Sequence, residues 1–353
     1  MTTDQLSPSE LGYRWPAEWE PHRATWLSWP HNRATWPGCF DSIPVLYARL
    51  VARLAQHEPV MILDGDGESA EQAHALVGGL SNVTLLPWRT NDAWIRDYGP
   101  TFLQAAPGNP RALVHWRYNA WGGKYPPWDL DRQVPTRVAH ATGYRTYTSW
   151  LTLEGGAIEG NGQGTVLATE SCLLHRNRNP ASTRATVEHC VRRCLGAEQI
   201  VWLRGGGIGG DDTDGHVDQL ARFVRSDTIV AATTKSQTDP DYRVLRENLD
   251  RLSDFRGHRG AAFQVVPLPL PEPLFHAGSR LPASYCNFYV ANGLVLVPQF
   301  DDRGDQVAHA ILRDLFPNHD VVGFPARELV RGLGALHCLT QQQPQPEALL
   351  DFP

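Results

Sequence analysis

The chain has 353 residues and a mass of 39.3 kDa, with 42% hydrophobic and 20% charged residues, a profile that excludes disordered, collagenous and coiled-coil classes. Lys and Arg total 32 against 38 Asp and Glu, a net charge of −6 with the 14 His neutral, which argues against a nucleic-acid partner because such binding needs clustered positive charge. No apolar run approaches the ~18–20 residues of a membrane span, the opening MTTDQLSPSE has neither the basic region nor the apolar core of a secretory signal, and six Cys are too sparse for a disulfide framework, so no membrane contact and reduced thiols in the cytoplasm are expected.

In chain order, a strand is predicted over 24–29, then a helix over 43–56 whose apolar residues Ile43, Leu46, Leu50 and Leu54 recur in a 3-4-4 step. Strand-length apolar runs follow at 60–63, 83–87 and 112–116. EGNGQGTVLA (159–168) reads as a hairpin with Gly in its turn, ending in the strand 165–168, and a helix follows over 183–195. Next come a strand at 228–232, a helix over 243–252, a strand at 263–268, a hairpin at 289–298 containing the strand 294–297, and a helix over 306–315. Strands alternate with helices, so the chain is α/β. All 12 Trp lie at or before Trp202 and read as core and rim aromatics. Polar-rich segments around Trp26, Asp97, Glu154, His216, Tyr285 and Cys338 are 71, 57, 62, 69 and 53 residues apart, as expected for five supersecondary units around an axis; an irregular α/β sandwich is the alternative.

Four segments could carry chemistry. In GGGIGGDDTDGHVD (205–218), His216 and Asp218 are two apart and would face one side of an extended strand. A carboxylate beside an imidazole favours the cation a general acid must be. Asp211, Asp212, His216 and Asp218 could instead ligate a metal, or the loop could be a solvated acidic turn. Gly205, Gly207 and Gly210 match G-x-G-x-x-G, but the acids that follow would repel a pyrophosphate. NDAWIRDYGP (91–100) places Asp97 at a strand end, where α/β folds collect ligands, or in an ordinary turn. LEGGAIEGN (153–161) places Glu154 before two Gly that would admit a ligand close to the backbone, or form a tight bend. GLGALHCLTQQQP (332–344) sets Cys338 between a Gly-rich approach and a polar exit, fitting either an exposed nucleophilic thiol or an inert buried one. A nucleophile would need a distant His and acid, which His216 with Asp218 or Glu154 could supply. His337 is a poor base for it, because neighbours on a strand point to opposite faces.

WPAEWEPHRATWLSWP (15–30), NDAWIRDYGPTF (91–102), LEGGAIEGNGQGTVLATESCLL (153–174), DDTDGHVD (211–218) and HCLTQQQP (337–344) together resemble the agmatine deiminase and bacterial peptidylarginine deiminase family of the guanidino-group-modifying (pentein) superfamily. The resemblance implies a five-bladed pseudo-symmetric α/β propeller with its site on the central axis, built as one catalytic domain over 1–353 from five ββαβ-type units. It implies hydrolytic deimination of a small cationic guanidino substrate, agmatine first, with no metal or organic cofactor; a homo-oligomer is left open. By position, Cys338 would be the nucleophile and His216 the general acid and base. Asp97 and Asp218 would hold the guanidinium, Glu154 would orient it and His216, and Trp94 would wall the pocket. The family commonly reads GGGNIHC and DETxGHVDN where this chain has Leu333, Ala335, Asp212 and Gln219. Asp212, the expected partner of the distal amine, is one methylene shorter than the usual Glu, which opens other guanidino compounds, such as a C-terminal peptidyl arginine, as substrates. A non-catalytic propeller that only binds is the rival from another class, and the complete Cys–His–acid set argues against it.

Overall fold

The computed structural model describes residues 6–106, 108–206, 208–257 and 260–346; Gly207, the middle glycine of the G-x-G-x-x-G match, and the first five residues lie outside them. Among the described residues, five sheets share one strand order. In each, a first strand pairs antiparallel with a second, and the second pairs parallel with a third after a helical crossover. Thr101–Leu103, Ala112–Arg117 and Arg145–Thr152 form one such sheet. Ile158–Gly160, Thr165–Thr169 and Gln199–Leu203 form the next. Ala221–Arg225, Thr228–Thr233 and Gln264–Pro269 follow, then Tyr289–Ala291, Leu294–Gln299 and Asp320–Pro325. The remaining sheet is closed by both ends of the chain. Its first strand, Gln341–Pro344, lies antiparallel to His22–Ser28 with Trp26 opposite Gln341, and Val60–Leu63 and Val83–Leu86 extend it in parallel.

Each crossover helix has an apolar stripe that covers its sheet. Ile43–Leu54 buries Ile43, Leu46, Tyr47, Leu50, Val51 and Leu54, which join Val60 and Ile62 in the largest core cluster. Val134–Thr142 starts with Pro135 in its first turn, where a missing N–H costs nothing, and ends at Gly143 with φ 72°, a conformation that strains any side chain. Arg184–Leu195 is capped by Thr183, whose side chain accepts from the Thr186 amide while the Thr186 side chain returns the bond. Tyr242–Asp254 and Gly304–Leu315 complete the set.

All eight predicted strands and four predicted helices lie within a few residues of these bounds. Unforeseen are the strands Thr101–Leu103, Arg145–Thr152, Gln199–Leu203, Ala221–Arg225, Asp320–Pro325 and Gln341–Pro344, the short pair Phe275–His276 and Ser279–Arg280, and the helices Gly67–Val77 and Val134–Thr142. Arg145–Thr152 and Asp320–Pro325 are third strands at sheet edges, and their polar residues break the apolar run that marks a central strand. A mixed α/β architecture results. Leu50 is fully buried on the first crossover helix; replacing it by Ala should lower unfolding stability by about 2–5 kcal/mol in urea titrations, and a loss below ~1 kcal/mol would show that this helix does not anchor its sheet.

Candidate functional site

A short helical turn leads into the first strand of every one of these five sheets, and those turns carry the candidate residues. Asp97 sits on Ile95–Tyr98, ahead of Thr101–Leu103. Glu154 caps Gly155–Ala157 and His216 caps Val217–Gln219, which contains Asp218. Tyr285–Asn287 precedes Tyr289–Ala291, and a turn at 336–339 with Cys338 precedes Gln341–Pro344. The intervals of 57, 62, 69 and 53 residues read from the sequence are the repeat of this turn, whereas Trp26, which opened the series, lies inside the strand His22–Ser28. His216 and Asp218 therefore share a turn rather than an extended strand, and Asp97 lies on a helical turn rather than at a strand end.

These residues converge on a cavity of about 820 Å³ whose walls include Trp94, Asp97, Trp121, His216, Asp218 and Cys338. Gly156 marks the point of convergence. A Cβ built there would lie 2.7 Å from His216 Nδ1, 2.9 Å from Asp97 Oδ1 and 3.0 Å from Asp218 Oδ2, so only glycine leaves this space open. Gly155, by contrast, backs onto the Arg96 carbonyl and admits no ligand. Asp97 is oriented by the Gly156 amide, which donates to Oδ1 at 3.0 Å, and by Trp121 Nε1, which donates to Oδ2 at 2.9 Å. Trp121 does so from a left-handed backbone, φ 55°. His216 Nδ1 lies 3.6 Å from Asp97 Oδ1 and Nε2 lies 3.7 Å from Glu154 Oε2. Glu154 Oε1 in turn accepts from Arg178 Nε at 2.8 Å. Cys338 Sγ is 3.6 Å from Asp218 Oδ2 and accepts from Asn287 Nδ2 at 3.2 Å. Both His216 ring nitrogens and Asp218 Oδ1 are buried without a hydrogen-bond partner; they are polar atoms left for a ligand.

The charges are set by burial and by neighbours. Burial disfavours a charged His216, but Asp97, Cys172 and Glu154 outweigh it and hold the imidazole well above its usual range. Burial raises Asp97, with the His216 charge opposing and the Asp218 and Glu154 carboxylates adding. Glu154 and Asp218 resist burial and stay below the usual carboxylate range, Glu154 through His216 and Arg178, Asp218 through His337. Burial pushes the Cys338 thiol well up, and the Asp218 and Asp97 carboxylates push it further. The site is thus an anionic well holding one cationic ring and one protonated thiol.

Several sequence expectations need correction. Cys338 is buried, not exposed, and its polar exit Gln341–Gln343 is a buried strand that accepts from Arg96 and Trp26 and donates to Tyr144. Trp26 and Tyr285 lie outside the cavity wall; Tyr285 donates to Asp305 Oδ1 at 2.7 Å. The four-residue metal set is not assembled: Asp211 is consumed by the amides of Thr213 and Gly215 and the Thr213 hydroxyl, and among the described residues the donor atoms of Asp211, Asp212, His216 and Asp218 do not form a metal-ligand group. Asp212 does reach the cavity wall, but its carboxylate already accepts from the Tyr125 hydroxyl. Among the described residues, the donor atoms of Glu154, Cys172 and His216 do lie within 4.8 Å of one another, though a cation there would face the Arg178 guanidinium. Asn287 and His337 went unrecognised. The repeat pointed to the turn carrying Asn287, but not to which of its side chains faces inward. His337 was set aside as a strand neighbour of Cys338, whereas a turn lets both side chains contact Asp218.

A thiol, an imidazole and paired carboxylates line one buried anionic well on a mixed α/β scaffold. The chain belongs to the Porphyromonas-type peptidyl-arginine deiminase family, whose sequence model matches residues 14–344. Agmatine deiminase of Pseudomonas fluorescens is 38% identical over 372 residues, covering 99% of this chain and 100% of that protein. A solved agmatine deiminase of Enterococcus faecalis is 30% identical, with a TM-score of 0.89 and coverage of 97% of this chain and 98% of that one. A dimethylarginine dimethylaminohydrolase shares the fold alone, at 12% identity and a TM-score of 0.50 over 91% of this chain and 99% of that one. Among the described residues no helix is long and apolar enough to cross a membrane.

Because only hydrogen fits at Gly156, Gly156→Ala should reduce turnover of a guanidino substrate by at least about 100-fold, the scale of a 1 Å displacement in a reacting site, while circular dichroism and melting stay near wild type. Turnover within a few-fold of wild type would show that the carboxylates and imidazole do not converge there.

Proposed function

We propose that the protein hydrolyses agmatine to N-carbamoylputrescine and ammonia through a covalent intermediate on Cys338. The supporting observation is the convergence of Cys338, His216, Asp97 and Asp218 on one well, in a chain similar over its full length to agmatine deiminases. A guanidinium stays protonated at neutral pH and resists water. Two carboxylates, Asp97 and Asp218, accept its planar N–H fork and fix its carbon, with Trp94 as a wall and Glu154 orienting His216. The bound cation offsets the anionic charge that keeps the Cys338 thiol protonated, so on substrate binding the thiol gives up its proton to solvent and the thiolate forms.

The thiolate attacks the guanidinium carbon and gives a neutral tetrahedral adduct. His216 donates its proton to one amino group, the C–N bond breaks and ammonia leaves. The S-alkylthiouronium left behind carries the positive charge. Neutral His216 then takes a proton from water as the oxygen attacks the same carbon. Collapse breaks the C–S bond, returns the thiolate, and leaves a ureido product; the last hydroxyl proton is lost to solvent, where the ammonia released earlier takes up a proton as ammonium. General acid–base transfer of this kind contributes roughly 10²–10⁴-fold, about 3–5 kcal/mol.

The same reading takes residues 1–353 as one catalytic domain, a five-bladed propeller with the well on its axis and working in the cytoplasm; the repeated strand order of the five sheets supports it. For the distal amine, Asp212 with its Tyr125 partner is the proposed recognition point, and its shortened side chain keeps a C-terminal peptidyl arginine as the second substrate. Cys338→Ala should abolish ammonia release from agmatine with the fold intact; residual turnover above about 1% would refute covalent catalysis. In the free enzyme, inactivation by iodoacetamide should accelerate with pH up to and beyond pH 9, because burial and two carboxylates disfavour the thiolate. A plateau reached near neutral pH would contradict a substrate-generated thiolate.

A further inference from the structure

His337 does not line the cavity, yet it is buried directly behind Asp218. Its Nδ1 lies 2.7 Å from Asp218 Oδ2 and its Nε2 lies 2.9 Å from Glu18 Oε2. Each ring nitrogen thus meets a carboxylate oxygen, and the ring bridges Asp218 and Glu18. The backbone cannot let it swing. The His337 amide donates to Asn287 Oδ1 at 3.1 Å, and its carbonyl accepts from Arg96 Nε at 3.3 Å. Asp218 is thereby anchored by one oxygen, while Oδ1 has no partner.

We propose that His337 is a positioning residue: clamped between Glu18 and Asp218, it presents Asp218 to the guanidinium as a fixed anion without touching substrate itself. The inference rests on the deimination reading above.

The charges around the ring agree with this. Arg96 faces it from Ile95–Tyr98, Arg222 from Ala221–Arg225, Glu159 from Ile158–Gly160 and Glu18 from the segment before His22–Ser28. Asp97 and His216 stand beyond Asp218, and Cys338 is the next residue. The His337 hydrogen bond is what chiefly holds Asp218 below the usual carboxylate range against its burial, so without it Asp218 would take up a proton more readily. Protonated, it could no longer accept from the guanidinium on equal terms with Asp97.

The test uses the full chain with His337→Gln and His337→Asn, reading kcat and KM for agmatine against pH, with circular dichroism and melting as controls. Ammonia release abolished by Cys338→Ala establishes the reaction first; if wild type releases none from any guanidino compound, the deimination reading fails and takes this proposal with it. With the reaction in place, both variants should lose roughly 10–100-fold in kcat/KM, the range for removing a partner that orients a ligand-binding group. KM should rise, because the guanidinium anchor is what weakens. The sign of the pH effect follows from the lost donor: Asp218 takes up its proton at higher pH, so the acid limb of kcat/KM should move up by roughly 1–3 pH units. His337→Asn, which keeps a donor near the Nδ1 position, should shift it less than His337→Gln. A folded variant with an unshifted acid limb and wild-type KM overturns the proposal. Failure of both variants to fold assigns His337 to the scaffold alone and overturns it as well.

Discussion

One buried carboxylate holds the site segments together. Glu18 accepts from Arg222 Nη2 at 2.8 Å and the Val290 amide at 2.9 Å through Oε1, and faces Arg96 Nη2 at 3.2 Å and His337 Nε2 at 2.9 Å through Oε2. Those partners come from four of the five sheets or the turns leading into them, and Arg222 reaches the remaining one through Glu159, 2.8 Å away. Burial alone would drive Glu18 to take up a proton; Arg222, His337 and Arg96 hold it well below the usual range. A paired charge in a core is weak support for stability, but a misaligned one costs several kcal/mol. The network therefore discriminates against any arrangement of the five segments that separates these groups.

The same geometry organises the chemistry. The turns that carry Asp97, Glu154, His216, Asp218 and Cys338 lead into strands whose backbones or neighbours bond this network. Side chains on such turns are fixed by the sheets behind them rather than by one another. That explains how His216 can keep both ring nitrogens free of hydrogen bonds inside a fully buried well: its position is set by the fold, and two carboxylates at 3.6 and 3.7 Å supply charge without capturing its protons. It also explains why Trp121 is tolerated at φ 55°. The surrounding segment over-determines it, and the indole N–H it delivers orients Asp97.

Much of the fold was legible because its elements are local. Central strands such as Val60–Leu63 and Thr228–Thr233 are continuous apolar runs, and Ile43–Leu54 shows its buried stripe in the spacing of Leu46, Leu50 and Leu54. The edge strands Val83–Leu86 and Gln264–Pro269 were legible as apolar runs, but Arg145–Thr152, which mixes polar and apolar residues, was not. Among site residues, Asp97, Glu154, His216, Asp218 and Cys338 stood out because acids, His and Cys beside glycines are costly to place without a role. Asn287 did not, because an Asn before a hairpin reads as an ordinary turn residue. Nor did Glu18, which lies among the tryptophans and prolines of its segment and shows its role only through partners as far as 319 positions away.

The sequence by itself determined the alternation of strand and helix, the period at which polar turns recur, and the inventory of reactive groups, because each depends on residues within a few positions of one another. Only the tertiary structure decided which imidazole serves which carboxylate. His216 and Asp218 are two residues apart, yet Asp97 and Glu154 flank His216, while the hydrogen bond to Asp218 comes from His337. The reason is geometric. A helical turn sends side chains two apart in different directions, and the closure of the first sheet by Gln341–Pro344 brings the chain's last turn against its middle.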